Sequence, residues 1–78
     1  MKHIASTSET PMTIAEIQKV LRTSFKNGFY IRRPSFVELD IEIYINKAGM
    51  SYHCQEGKVW IVELTRRETE VNDWEIVP

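Results

Sequence analysis

The first regular pattern along the chain is an apolar stripe with the period of a helix. Its members recur at the spacing of helical turns and are Ile14, Ile17, Val20 and Leu21. Thr13, followed three residues later by Glu16, matches a capping box, in which each side chain satisfies the backbone N–H of the other residue. Asn27 and Gly28 are residue types that tolerate the positive φ angles found at helix ends. The pattern predicts one amphipathic helix that begins after Thr13.

Five later segments have the alternating, β-branched or aromatic composition of strands. They are residues 29–32, 38–45, 50–54, 58–64 and 74–77. The segment 65–72 has the composition of a short helix or a turn. This order predicts a single α+β domain over residues 12–78. Its parts are an antiparallel β-sheet, one N-terminal amphipathic helix, and a short second helix or turn before the last strand.

Residues 38–45 alternate most strictly between apolar and polar side chains. The apolar set is Leu39, Ile41, Ile43 and Ile45, and the polar set is Glu38, Asp40, Glu42 and Tyr44. Three carboxylates on one predicted strand face could hold a cation. A solvated outer face is the favoured interpretation, because acidic side chains there also oppose edge-to-edge aggregation.

The N-terminal residues 1–11 are polar and rich in Ser and Thr. Such a composition cannot bury enough apolar surface to order itself, so we expect a flexible tail. An N-terminal edge strand over residues 2–5 is the alternative.

A chain of 78 residues has room for one small core, and small domains commonly need a further source of stability. An intrachain disulfide is excluded because Cys54 is the only cysteine, and His3 and His53 lack the spacing of a zinc site. We therefore expect no metal, and self-association remains as the open option.

The charges balance, with ten Lys and Arg against eleven Asp and Glu and a formal net charge of −1. No overall field draws the chain to nucleic acid, so we expect no DNA or RNA duplex as a partner. The apolar runs are far shorter than the roughly 20 residues of a membrane span, and the first residues lack a signal-peptide pattern. These features predict a soluble, cytoplasmic protein.

Catalytic motifs are absent from the sequence, which contains no G-x-S-x-G, HExxH, CxxC or glycine-rich phosphate loop. His53 and Cys54 are adjacent, and adjacent strand residues face opposite ways. We therefore predict no catalytic residues, no cofactor and no enzyme activity. A metal-dependent enzyme that uses Glu38, Asp40 or Glu42 is a weaker alternative.

The segment between the first helix and the acidic strand mixes basic and aromatic side chains. They are Lys26, Arg32 and Arg33 among Phe29, Tyr30 and Phe36. Guanidinium groups grip phosphates and rings stack on bases, so the mixture suits an anion the size of a nucleotide. The alternative is structural, with Phe29 and Phe36 in the core and the arginines paired to Glu38 or Asp40.

Each of the two tryptophans has a structural interpretation and a binding interpretation. Trp74 near the C-terminus is expected to be mainly structural, anchoring the end of the chain. Trp60 lies in Val59-Trp60-Ile61-Val62, where both faces of the predicted strand are apolar. One face can be covered by the helix and the other by a partner chain.

Three features together resemble the Thoeris anti-defence two-like family of small phage and prophage proteins. They are the helix with Asn27-Gly28, the turn Arg32-Arg33-Pro34-Ser35-Phe36, and the ending Asn72-Asp73-Trp74-Glu75-Ile76-Val77. Members of that family run from a short amphipathic helix through a Gly into an Arg-x-x-Trp turn, and finish on Asp-Trp-Glu followed by aliphatic residues. The likeness covers about residues 12–77, with two departures. Phe36 stands where the family usually has Trp, and residues 38–64 are hard to match.

The resemblance implies a sponge without enzyme activity that sequesters cyclic nucleotide messengers of bacterial immunity, including cyclic ADP-ribose isomers. Relatives assemble as homotetramers with ligand sites between protomers, so the resemblance implies the same here. By position in the motifs, Arg33 would meet phosphate, and Phe36 would stack on a base or pack beside it. Asp73 would accept from a ribose hydroxyl or from a neighbouring backbone N–H, and Trp74 would form the wall of the pocket.

Arg32 and Tyr30, beside that turn, complete the set of candidate ligand-binding residues. The rival hypothesis is a small phage-encoded interaction protein that blocks a host protein through the apolar surface around Trp60.

Overall fold

The computed structural model describes residues 11–77, and they form the predicted α+β fold. In chain order the elements are α1 (Ile14–Arg22), β1 (Gly28–Arg32), a 3₁₀ turn (Pro34–Phe36), β2 (Ile41–Asn46), β3 (Ser51–Gln55), β4 (Lys58–Val62), α2 (Arg66–Glu70) and β5 (Glu75–Ile76). The expected tail over residues 1–11 and the alternative strand over residues 2–5 lie outside the described residues, apart from Pro11.

The five strands make one sheet in the order β4-β3-β2-β1-β5, and every neighbouring pair is antiparallel. Two hairpins build the β2-β3-β4 half of the sheet, whereas β5 returns from α2 to the far side of β1. Glu56 and Gly57 form the β3–β4 turn, with φ angles of 52° and 81°. Two consecutive positive φ angles match the twist that tight hairpins require.

Helix α1 covers one face of the sheet and supplies three of the seven buried core side chains. Thr13 and Glu16 make the predicted capping box, so the helix begins where the sequence indicated. The buried apolar side chains come from α1, β1, β2 and the residue before β5; they are Ile14, Ile17, Leu21, Ile31, Ile43, Ile45 and Trp74. Each contributes roughly 1.5–3 kcal/mol by leaving water.

The tight junction between β1 and β2 requires a glycine at position 28. A Cβ at Gly28 would collide with the carbonyl oxygen of Ile45 and the ring of Tyr44. The chain does pass into a strand at Asn27-Gly28, since Gly28 is the first residue of β1. The expectation that these residues end the helix through a positive φ is wrong, because neither has one and α1 already ends at Arg22.

The expectation of one strand over residues 38–45 is wrong at its start, because β2 begins at Ile41. The chain is still turning after the 3₁₀ turn, with the N–H of Leu39 donating to Phe36 and that of Asp40 to Val37. Asp40 has a φ of 55°, and Leu39 is 57% exposed. The predicted row of three carboxylates on one strand face therefore does not form.

The other boundaries shift by smaller amounts. Strand β4 ends at Val62 instead of residue 64, and β5 has two residues instead of four. The short second helix is confirmed as α2, which begins with a capping box between Thr65 and Glu68. Trp74 lies just outside β5 and pairs its backbone with Met12.

Candidate functional site

Four of the six predicted site residues meet where β1 ends and the segment before β5 returns. The Nε of Arg33 donates to Oδ1 of Asp73 at 2.8 Å, and its Nη2 donates to Oδ2 at 3.1 Å. A two-pronged pair of this kind fixes both the position and the plane of the guanidinium. The Arg33 side chain is 25% exposed and that of Asp73 is 41% exposed, so the pair borders solvent.

Two aromatic rings lie beneath this ion pair. The ring of Phe36 meets the indole of Trp74 edge to face, with centroids 5.5 Å apart and an interplanar angle of 86°. The guanidinium carbon of Arg33 is 6.0 Å from the centroid of the Trp74 ring, within the range of a cation–π contact. The candidate turn and the terminal motif, 40 residues apart in sequence, thus form one cluster.

Trp74 is fully buried, and its Nε1 donates to the carbonyl oxygen of Glu68 at 2.7 Å. The backbone N–H and C=O of the same residue exchange hydrogen bonds with Met12 at 3.1 and 2.7 Å. Trp74 therefore joins this end of the chain to α2 through its indole and to the segment before α1 through its backbone. A ligand at the surface reaches Arg33 and Asp73 but not the Trp74 ring.

Tyr30 and Arg32 lie on the opposite face of the sheet from this cluster. The Nε of Arg32 donates to Oε1 of Glu75 at 3.0 Å, and the two residues are partners in the β1–β5 register. Because side chains alternate along a strand, Arg32 faces away from Arg33. The six candidate residues therefore form two groups, one on each face.

Arg33 retains capacity to bind an anion. The hydrogen bond to Asp73, reinforced by the charge of that carboxylate, raises the pKa of Arg33, so its guanidinium stays ionised. A guanidinium has five N–H donors, and two of those on Arg33 are directed to Asp73. Among residues 11–77 no other acceptor binds the remaining donors of Arg33.

An aromatic row crosses the open face of the sheet, and the sequence analysis did not identify it. Tyr30, Tyr44 and Tyr52 are register partners on β1, β2 and β3, and Ile61 continues the row on β4. The ring centroids are 4.9 Å apart for the first pair and 6.4 Å for the second. Aligning the alternating side chains of neighbouring strands across the two predicted hairpins would have indicated this row.

The adjacent pair His53 and Cys54 is not a catalytic dyad. The His53 ring stacks on Trp60, with centroids 4.4 Å apart, while Cys54 points to the other face. Burial, aided by the negative charge of Glu42, raises the pKa of the Cys54 thiol. A protonated thiol is a poor nucleophile at neutral pH.

A cavity of about 230 Å³ lies beside this thiol at the β3–β4 turn. Its polar lining includes Asp40, Glu42, Glu56 and Lys58. None of the six candidate residues lines it. Within residues 11–77 no group of three or more His, Cys, Asp or Glu side chains is placed to hold a metal ion.

Comparisons with known proteins add no relative. No family model matches the chain, and no curated protein or solved structure matches it significantly. Across residues 11–77 there is also no helix of the length and apolar character needed to cross a membrane.

Proposed function

We propose that this protein binds a cyclic nucleotide messenger, such as a cyclic ADP-ribose isomer or a cyclic oligonucleotide, and sequesters it unchanged. It would act as an immune-evasion protein of phage type in the cytoplasm of the host cell. The resemblance of the basic turn and of the terminal motif supports this proposal.

The single observation that carries the proposal is the state of Arg33. Its guanidinium is charged, held in one orientation by Asp73, partly exposed, and left with N–H donors that no described residue uses. A cation that is fixed before binding loses little side-chain entropy when a phosphate arrives. Phosphate oxygens suit the planar fork of a guanidinium, so Arg33 would contact the phosphate.

The neighbours of Arg33 take supporting roles. Asp73 orients the guanidinium and, being 41% exposed, can also accept from a ribose hydroxyl. Phe36 presents a half-buried ring at the edge of the cluster, where it can pack beside a base. Trp74 supports that ring from inside the core. Arg32 and Tyr30 would contact ligand only from the other face.

Sequestration requires tight binding, and a nanomolar site needs about −12 kcal/mol of binding free energy. Hydrogen bonds to charged groups contribute only about 1.5–3 kcal/mol each, so one arginine cannot supply that total. We therefore propose a homo-oligomer, a tetramer by resemblance, in which more than one copy of the cluster contacts each ligand.

Isothermal titration calorimetry with a panel of cyclic ADP-ribose isomers and cyclic oligonucleotides tests this proposal. At least one messenger should bind, and after denaturation of the protein it should be recovered with its mass unchanged. Arg33→Ala should weaken that binding at least about tenfold, the equivalent of one lost charged hydrogen bond. Thermal melting of the variant checks that it still folds.

Arg66→Ala is the matched control. Arg66 is also paired with a carboxylate, Glu70, but its side chain is 91% exposed and lies on α2. Its removal should leave messenger affinity unchanged. Binding of no messenger would refute the sponge, and equal affinity of the Arg33 and Arg66 variants would remove Arg33 from the site.

One observation favours a second candidate, an interaction protein that inhibits a host protein. Val59, Trp60 and Ile61 are 62%, 45% and 63% exposed on β4, an unusual apolar run for a surface strand. In that case no messenger should bind in calorimetry, and a defined host protein should bind with an affinity that Trp60→Ala reduces.

A further inference from the structure

The outer edge of β4 carries backbone groups that the sheet leaves unpaired. Gln55 and Lys58 flank the two-residue turn and form its closing pair, so hydrogen bonding along β4 alternates from there. Lys58, Trp60 and Val62 direct their N–H and C=O groups to β3. The backbone groups of Val59 and Ile61 therefore point outward, where only another extended strand can pair with both.

The side chains on this edge are apolar on both faces of the sheet. Val59 and Ile61 point to the open face and are 62% and 63% exposed. Trp60 points to the helix-covered face, beyond the reach of α1, and is 45% exposed while it stacks on His53. Edge strands normally carry a charge, a proline or a bulge that prevents them from pairing with another chain, and residues 59–61 contain none of these.

We infer that β4 pairs antiparallel with β4 of a second copy of this chain, about a two-fold axis that passes beside Trp60. The two sheets then join into one continuous sheet. Directly opposed residues of an antiparallel pair have their side chains on the same face of the sheet. The two-fold axis also keeps each residue on the same face in both copies, so opposed residues are both odd-numbered or both even-numbered, and their position numbers add to an even number. That condition leaves few registers.

The register centred on Trp60 matches the side chains best. It places the two Trp60 side chains opposite each other and Val59 opposite Ile61 twice, so every exposed apolar residue meets an apolar partner. Lys58 then faces Val62, and Glu63 faces Gly57, which has no side chain. Moving the centre to Ile61 would place Val59 against Glu63, and moving it to Val59 would place Lys58 against Trp60.

The outward backbone groups agree with the same register. Val59 and Ile61 become hydrogen-bonded partners across the axis, and Trp60 occupies a non-hydrogen-bonded pair, in which side chains approach most closely. A host strand could offer the backbone groups, but nothing in the chain specifies its side chains. A second copy of this chain offers the unpaired backbone groups and also the matching apolar side chains.

Sedimentation velocity without ligand tests this inference, so its outcome is separate from that of the messenger titration. The strand pair is short, and we expect a dimer that dissociates on dilution between roughly 500 and 5 μM, as mass action requires. Hydrogen exchange at the higher concentration should protect the amides of Val59 and Ile61 more than at the lower one. The amide of Trp60, already bonded to β3, should change much less.

Paired charge variants test the register. Val59→Lys and Ile61→Glu should each be monomeric, because each places a charge against an apolar partner. An equimolar mixture of the two should recover the dimer, because the introduced lysine and the introduced glutamate face each other only in the register centred on Trp60. Thermal melting confirms that each variant is folded.

Leu39→Glu is the matched control, since Leu39 is 57% exposed and lies outside the strands. It should dimerise like the unmodified protein. A monomer at the highest concentration, equal behaviour of the Ile61 and Leu39 variants, or no recovery on mixing the two charge variants would each overturn the inference.

Discussion

The two edges of the sheet are built in opposite ways. At the β5 edge, two arginines on and after β1 pair with acids on either side of Trp74, and the Trp74 backbone bonds to Met12. At the β4 edge, three consecutive apolar side chains are exposed and the outward backbone groups have no partner in the described part of the chain. We call the first edge closed because Trp74, just before β5, is bonded to Met12 of the same chain, and the second edge open.

This difference shows how a small domain distributes its interactions. The β5 strand has only two residues, too few for ladder hydrogen bonds to hold it, so long-range side-chain contacts hold it instead. The β4 strand is held by a tight hairpin and needs no such contacts. Its outer surface therefore remains available for an intermolecular contact.

The largest expected effect comes from removing the anchor of the closed edge. Trp74→Ala should lower the free energy of unfolding by roughly 3–5 kcal/mol, because it leaves a cavity in a core of only a few side chains. Urea denaturation measures this change, and circular dichroism measures the folded fraction if the variant is largely unfolded.

Trp60→Ala is the control for that experiment, since the Trp60 ring is 45% exposed. At concentrations where the protein is monomeric it should cost clearly less than Trp74→Ala, because Trp60 borders solvent and its removal leaves no enclosed cavity. Trp74→Phe keeps a ring but removes the donor to Glu68, and should fall between the two. Equal losses for the two alanine variants would contradict the distinction between the edges.

A smaller effect is expected from the ion pair that closes the β5 edge. A double-mutant cycle with Arg33→Met and Asp73→Asn should give a coupling of roughly 1 kcal/mol, because the pair is two-pronged and partly shielded from water. The matched cycle with Arg66→Met and Glu70→Gln, on a far more exposed pair of α2, should give about 0.3–0.5 kcal/mol. Couplings of equal size would show that Arg33 and Asp73 do not fasten this edge.

The smallest effect concerns Cys54, one strand in from the open edge. Its raised pKa should delay alkylation by iodoacetamide to a higher pH than in the urea-unfolded chain. The folded thiol holds its proton more tightly, so this stabilisation is complete below the unfolded pKa and is lost as pH rises through the folded one. Equal pH profiles in the two states would show that the open edge exposes β3 as well.

Local patterns predicted much of the fold correctly. The capping box of Thr13 and Glu16 and the helical stripe depend on residues within a few positions, so the sequence alone identifies them. The strand predicted from residue 38 was wrong because alternation continues through Glu38, Leu39 and Asp40 while their backbone turns. Alternation of side chains does not report φ and ψ angles.

The candidate site could be predicted only as a set of residues. The basic turn and the terminal motif were identified, but that Arg33 pairs with Asp73 and that Arg32 faces the other way depend on strand register and on where β1 ends. The row of Tyr30, Tyr44 and Tyr52 also depends on strand register, because its members become neighbours only when β1, β2 and β3 pair.

The sequence by itself determined the elements, their order and the candidate set of basic and aromatic residues, because those properties depend on short-range periodicity and on side-chain chemistry. Only the tertiary structure decided that Trp74 is buried, that Trp60 stays half exposed, and that one sheet edge is closed while the other is open. The burial of Trp74 and the closing of the β5 edge depend on contacts between residues about 40 or more positions apart, such as Arg33 with Asp73 and Met12 with Trp74. A local sequence pattern does not show which distant residues will come into contact, so it cannot predict how much those contacts stabilise the fold.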